Sequence, residues 1–256
     1  MLLPETIHQS MGSVFGEQPP PRETVQFCDF ENAHDAFYSL GHSSFTLSKA
    51  KPAAETLGDA LCETAHYCVF DTETSGLSSR DCVIQMAIGF YDEGGSQLGV
   101  YDRLWKLPNG VRISEGSFKV HKISTQRLND EGCETAAEIE KVMKYIGRMR
   151  SREKLIVAHN ASFDLRMLAQ TAKNWSKHWE LVADDVFCTM KSARVHCGLI
   201  STKTGRLKAP SNTELYEMLT GETVATEELH NALFDVSLTS ASFFQGARRG
   251  WWSDGV

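Results

Sequence analysis

Val69-Phe70-Asp71-Thr72-Glu73-Thr74-Ser75-Gly76-Leu77 places two acids, one residue between them, at the end of an apolar run with a glycine just beyond. In a β-strand, residues i and i+2 point to the same face. Asp71 and Glu73 therefore project side by side from one strand. Like charges held that close repel unless something positive sits between them. A divalent cation fits, because hard ions such as Mg²⁺ and Mn²⁺ take carboxylate oxygens. The question for the rest of the chain is which residues complete such a site.

The surroundings of this stretch read as a sheet. Tyr67-Cys68-Val69-Phe70 is a buried strand that delivers Asp71, and Val83 to Tyr91 is a second strand rich in apolar and β-branched residues. Asp92-Glu93-Gly94-Gly95-Ser96 is a hairpin turn, and Gln97 to Lys106 is the third strand of an antiparallel meander. After the turn at Pro108-Asn109-Gly110, a helix is expected around Phe118 to Ile123. An amphipathic helix follows from Glu134 to Met149, with Ala137, Val142, Tyr145, Ile146 and Met149 on one side. Leu155-Ile156-Val157-Ala158 is a short strand, Ser162 to Ala172 a helix, and Val186-Phe187-Cys188 the last strand. Helices are expected near Thr189 to Val195, Asn212 to Leu219 and Ala232 to Ala247. This helix–strand–helix alternation predicts parallel pairing onto the meander.

Three segments follow from the pattern. Residues 1–65 form an N-terminal extension with Pro19-Pro20-Pro21 as a loop and helical composition at Asp29 to Leu40 and Ala53 to Thr64. Residues 66–247 form the main α/β domain. Residues 248–256 form a short tail whose Arg248-Arg249-Gly250-Trp251-Trp252 reads as basic and aromatic surface.

Bulk properties narrow the class. The 256 residues are 41% hydrophobic and 23% charged, an ordinary globular composition. No apolar run approaches the ~20 residues of a membrane span, so no membrane role is expected. Met1-Leu2-Leu3-Pro4-Glu5 has no basic, then apolar, signal pattern. The seven cysteines are scattered and form no C-x-x-C pair, which predicts reduced thiols in a cytoplasmic protein and argues against a zinc site. The net charge of −7 does not by itself suggest a nucleic-acid partner. Yet Lys141 to Lys154 carries six positive charges against Glu153, and Lys191 to Lys208 carries five and no acid. Such stretches can track phosphates, or can simply be solvated faces.

Two further places offer acids. His159-Asn160-Ala161-Ser162-Phe163-Asp164 follows a strand and opens a helix, and His230-Asn231-Ala232-Leu233-Phe234-Asp235 opens the last helix. Taken singly, Asp164 can serve a helix dipole, Asp235 the surface, and Asn160 a helix cap. Taken together with Asp71 and Glu73, they form an ordered set. The wording of the three segments resembles the D-x-E-T-[ST]-G, H-N-x-x-F-D and H-x-A-x-x-D motifs of the DEDDh family of 3′→5′ exonucleases. That family includes polymerase proofreading subunits and RNA-trimming enzymes. Val120-His121-Lys122-Ile123-Ser124 is similar to its H-x-I-[ST] stretch, with Lys122 where many members have Gly. The resemblance covers about residues 66 to 246. His230 lies five residues before Asp235, about 500° of helical rotation. If both face one site, His230 must sit on the loop ahead of the helix.

The resemblance implies an RNase H-like fold with a mixed five-stranded sheet, an antiparallel meander plus parallel strands, flanked by helices. It implies two Mg²⁺ or Mn²⁺ ions held by Asp71, Glu73, Asp164 and Asp235, with Asp71 shared by both and His230 as general base. It implies substrate contacts from Thr72, Gly76, Leu77, His121, Asn160 and Phe163, although Asn160 can equally serve as a cap and Phe163 reads mainly as a core residue. The expected partner is nucleic acid with a free 3′ end, single-stranded DNA or RNA, with DNA favoured. A homodimer and a polymerase or replication partner are compatible with it. The competing readings are an RNA-trimming enzyme, a metal-dependent endonuclease and a catalytically idle binding module of the same fold.

Overall fold

The computed structural model describes residues 54–179, 181–224 and 230–252. The helical expectation at Asp29 to Leu40 lies outside the described residues. The chain opens with α1 (Ala54–Thr64) and the strands β1 (Tyr67–Thr74), β2 (Val83–Tyr91) and β3 (Gln97–Leu104). Then come α2 (Glu115–His121), α3 (Thr125–Glu131), α4 (Thr135–Ser151), β4 (Leu155–Ala158) and α5 (Ala161–Asn174). A short 3₁₀ turn precedes β5 (Phe187–Cys188), followed by α6 (Thr189–Cys197), α7 (Asn212–Thr220) and α8 (Ala232–Arg248).

The five strands form one mixed sheet in the order β3-β2-β1-β4-β5. β1–β2 and β2–β3 pair antiparallel, while β1–β4 and β4–β5 pair parallel. This is the mixed, RNase H-like arrangement the sequence implies. β1 is central, which explains its unbroken apolar run: both of its faces are covered. Cys68 and Phe70 point into a core shared with Leu61 of α1, Ile139 of α4 and Leu168 of α5. Tyr67 and Val69 point into a second core with Leu215 of α7 and Val236 and Phe243 of α8. The period-2 alternation of β1 thus decides which helix layer each functional side chain meets.

The helix expected around Phe118 to Ile123 is α2, which starts earlier and ends at His121; α3, which the sequence reading did not give, follows it. Ser114 caps α2 by accepting from the Ser117 amide, and Ser124 caps α3 by accepting from Arg127. Between them Lys122 takes φ 58°, the left-handed conformation that ends a helix. β3 stops at Leu104, with Trp105 continuing only as an isolated bridge to Cys133.

Residues on either side of the main domain's boundaries share its core. Leu61, Cys62 and Ala65 are buried with the sheet, and Asp59 of α1 pairs with Lys144 at 3.1 Å and Arg148 at 2.7 Å on α4. Trp252 is buried against α8, where Gly246 makes room: a Cβ there would come within 2.0 Å of the indole. Six cysteines among the described residues are free thiols. Among the described residues no helix is long and apolar enough to cross a membrane.

Candidate active site

The site forms where the C-terminal end of β1 meets the first turns of α5 and α8. Asp71 and Glu73 continue the Tyr67–Val69 face of β1, the face that α8 covers. Asp235 lies in the first turn of α8 and so descends onto them. Thr72 points the other way, toward α5. Its hydroxyl donates to Asp164 Oδ1 at 2.7 Å across the end of the sheet. Main-chain amides of Thr72 and Asp164 also serve the Asp164 carboxylate. Four carboxylates from three elements are thereby brought together, as the sequence implies.

His230 sits just outside the helix, with φ 66°. The next residue, Asn231, caps α8 by accepting from the amides of Leu233 and Phe234 at 3.1 and 3.3 Å. The cap starts the helix after His230 and leaves the imidazole exposed on the loop, as the five-residue spacing demands. Glu73, His230 and Asp235 each present a ligand atom, all within 4.8 Å of one another.

The electrostatics are those of an anionic cluster. Burial, followed by the charges of Asp164, Asp235 and Glu73, holds Asp71 well above the usual carboxylate range. Burial and then Asp235 and Asp164 push Glu73 up to about 8. Burial pushes Asp164 to about 7 against the pull of its Thr72 hydrogen bond. Burial also raises Asp235, opposed by nearby His230 and by Asn212. None of the four acids forms an ion pair with a lysine or arginine among the described residues.

The residues expected to touch substrate are distributed around the mouth. Leu77 is 71% exposed, just past the end of β1. Gly76 is buried, and a Cβ there would lie 2.5 Å from the Asp81 carboxylate, which accepts from Ser75 Oγ at 2.9 Å and from the Ser78 amide at 2.7 Å. Asn160 is the N-cap of α5 in the left-handed conformation, yet its side chain makes no capping bond. Phe163 is half-buried on the larger core, with the Arg166 guanidinium 5.3 Å from its ring centre. His121 is buried at the end of α2, beside the Thr74 main chain and near His230, and burial lowers its pKa.

Three supporting residues escape sequence reading. Asn212 of α7 donates to the Asp235 carbonyl at 3.0 Å and to its Oδ1 at 3.4 Å, and accepts from Thr239 at 3.2 Å. Gln85, opposite Glu73 on β2, accepts from the Ala232 amide at 3.3 Å and donates to Asp102 at 2.9 Å, anchoring the start of α8. His159 joins β4 to the α6–α7 region: Nε2 meets the Pro210 carbonyl at 3.2 Å and Nδ1 the Thr189 hydroxyl at 3.0 Å. Burial drives its pKa down to about 4, so this ring is a neutral brace. Only His159 carried a signal, its position in the second motif. The partners of Asn212 and Gln85 are far away in the chain.

Comparison with known proteins bears on the family and the fold. The family model described as exonuclease, that of RNase T, matches residues 68–243. A DNA polymerase III of PolC type from Staphylococcus saprophyticus is 32% identical over 148 residues, covering 53% of this chain and 9% of the polymerase. Its counterpart from Staphylococcus epidermidis is 30% identical over 148 residues, covering 54% of this chain and 9% of the polymerase. Among solved structures, E. coli exonuclease I in complex with a dA16 oligonucleotide superposes with a TM-score of 0.58 at 16% identity, over 72% of this chain and 41% of that one. The zinc-bound exonuclease I–single-stranded DNA complex gives 0.58 at 18% identity, with coverage of 72% and 41%. The matches thus span less than half the length of these relatives.

Proposed function

The chain belongs to the DEDDh-type exonuclease family, and on that premise we propose that it removes nucleotides from a free 3′ end of nucleic acid. The products are nucleoside 5′-monophosphates. The observation that carries this reading is the convergence of Asp71, Glu73, Asp164 and Asp235, buried or half-buried, with His230 at their edge.

The residues fit two Mg²⁺ or Mn²⁺ ions. The four carboxylates supply hard oxygen donors, and their mutual repulsion is the charge a cation pair neutralises. When bound, such ions ionise a water near neutral pH and offset the charge that builds on the phosphate and the leaving oxygen. Asp71 is central, since the other three acids all act on it. Thr72 fixes Asp164 through its hydroxyl, so this carboxylate is preset before substrate arrives. His230 accepts the proton of the attacking water from the loop at the edge of the carboxylates, where its exposed ring can pass the proton to solvent.

The strand end is gripped without being read. Leu77 offers an exposed apolar surface to the terminal base, and stacking of this kind tolerates any sequence. Thr72 main chain and Gly76 receive the terminal sugar, while Asn160, with an uncommitted side chain, and Phe163 flank the phosphate. DNA is favoured as substrate, supported by the likeness to PolC-type DNA polymerases and to exonuclease I bound to single-stranded DNA. The PolC likeness also supports work beside a polymerase, and the free thiols support a cytoplasmic setting.

The test uses 5′-labelled single strands of DNA and of RNA, with free or 3′-phosphorylated ends, in Mg²⁺, Mn²⁺ or chelator. A ladder shortening from free 3′ ends, on DNA faster than on RNA and only with metal, is expected. Internal cuts in the blocked strands would overturn the reading in favour of an endonuclease.

A further inference from the structure

The two basic stretches of the sequence use their charges differently. In and just after α4, Lys141 pairs with Glu138 at 2.6 Å, Lys144 with Asp59 at 3.1 Å, Arg150 with Asp185 at 3.1 Å, and Arg152 with Glu63. Those ion pairs leave that face little net charge for a ligand. In the second stretch, Lys208 pairs with Glu214 at 2.5 Å, and Arg194 Nη2 donates to the Leu207 carbonyl at 2.8 Å. Lys191, Lys203 and Arg206 are exposed, and their side chains meet no acid and no acceptor among the described residues.

These cations stand on a fixed framework. After α6 the chain turns back as a hairpin, in which Ile200 bridges Leu207, the Lys208 amide donates to the Leu199 carbonyl at 2.8 Å, and the Ser201 amide to the Arg206 carbonyl at 2.9 Å. Gly205, at φ 63°, closes the tip by donating its amide to the Ser201 carbonyl at 2.8 Å. The Arg194 bond fastens the hairpin to α6. Lys191 and Val195 are neighbours one turn apart on α6, and Val195 is 75% exposed, as Ile200 of the hairpin is 56% exposed.

The framework ends at the carboxylates. Thr189, which opens α6, meets the His159 ring from one side, and the Pro210 carbonyl meets it from the other. Asn212 then donates to Asp235. From Arg206 to Asn212 the chain spans at most about 20 Å, so the hairpin lies beside the site and not across the molecule from it.

We propose that Lys191, Lys203 and Arg206 form a track for the phosphates of single-stranded nucleic acid upstream of the nucleotide being removed, with Val195 and Ile200 as apolar ground for its bases. The inference deepens the functional reading above and rests on it for the path of the strand. Exposed cations without an internal partner are the groups that gain from a phosphate, and exposed aliphatic surface accepts any base. A chain of net charge −7 repels a polyanion elsewhere, so a local positive strip beside the site decides where the strand approaches.

Binding is read by anisotropy of 5′-labelled oligothymidylates of about 4 and about 16 nucleotides, in chelator so that nothing is consumed, at roughly 50 and 200 mM salt. The hairpin variant carries Lys191→Gln, Lys203→Gln and Arg206→Gln together. Each lost phosphate contact lowers the slope of log affinity against log salt by about 0.7. Between the two salts, the variant's affinity for the longer strand should therefore fall by a factor roughly twentyfold smaller than the unaltered protein's, with the shorter strand unaffected. A control with Lys144→Gln, Arg150→Gln and Arg152→Gln makes the same change in net charge on the paired face and should keep the full salt dependence. Equal salt dependence in the hairpin variant and the unaltered protein would overturn the inference, and so would an equal loss in the control. Cleavage of the shorter strand by the unaltered protein with Mn²⁺ checks the functional reading separately. Its absence would end that reading, whereas the anisotropy result decides the track in either case.

Discussion

Glu73 links the chemistry of the site to the stability of the molecule. In the metal-free protein its carboxyl titrates near 8, because burial and the charges of Asp235 and Asp164 oppose ionisation. In the unfolded chain it titrates near the ordinary value of about 4.3. Between those values the native state holds a proton that the unfolded state has lost. Raising the pH therefore favours unfolding, and stability falls until the native carboxyl ionises near 8. The slope is about 1.4 kcal/mol per pH unit, so from pH about 6.5 to about 8 the loss is about 2 kcal/mol from this one group. Buried His159, neutral in the fold down to about 4, acts with the opposite sign, but in a lower pH window. The loss corresponds to a fall in Tm of roughly 4–8 °C for a domain of this size. The assay is thermal or urea unfolding in chelator at both pH values, on the unaltered protein and on Glu73→Gln. The variant should lose the part of the slope that belongs to Glu73, while the raised carboxyls of Asp71 and Asp164 keep the rest. A metal-free protein whose Tm is flat or rises over this interval would refute the picture of mutually repelling buried carboxylates.

Other expectations follow from the same contacts. Adding Mn²⁺ or Mg²⁺ at about 100 times its dissociation constant should raise unfolding stability by about 2.7 kcal/mol, seen as a Tm increase at pH 8 that Asp71→Asn abolishes. His230→Ala should leave ion binding by calorimetry largely in place and slow cleavage by roughly 10²–10⁴-fold; collapse of ion affinity would make His230 a ligand instead. Asn212→Ala should lower kcat through a loosened Asp235 with a stability cost of about 1 kcal/mol, read by steady-state kinetics beside urea unfolding; an unchanged kcat would remove Asn212 from the positioning network.

Much of the sheet was legible because its side chains obey short-range rules. Val83 to Tyr91 is apolar but for Gln85 and is buried along its whole length. Asp92 to Ser96 carries turn residues and closes through the Asp92 amide on the Ser96 carbonyl at 2.9 Å. The left-handed Lys122 was not legible, because a lysine gives no sign of positive φ, and so the first helix was read on to Ile123 and α3 was missed. At the site, Asp71 and Glu73 are neighbours on a strand and reveal themselves by spacing. The Thr72–Asp164 hydrogen bond spans 92 positions and the Asn212–Asp235 bond 23, distances at which no local pattern speaks. The cap reading of Asn160 also illustrates the limit: the residue occupies the cap position, but its left-handed backbone leaves the side chain without a capping bond.

The central claim is that four carboxylates at the end of β1 drive metal-dependent removal of 3′-terminal nucleotides. The most direct measurement is Asp164→Ala on a 5′-labelled single strand with Mn²⁺, alongside circular dichroism of the same preparation. The account predicts an unshortened strand and an unchanged fold, since Asp164 lies in the first turn of α5 and its loss relieves repulsion among the buried carboxylates. A ladder from a clean preparation of the variant, at the rate of the unaltered protein, would contradict it.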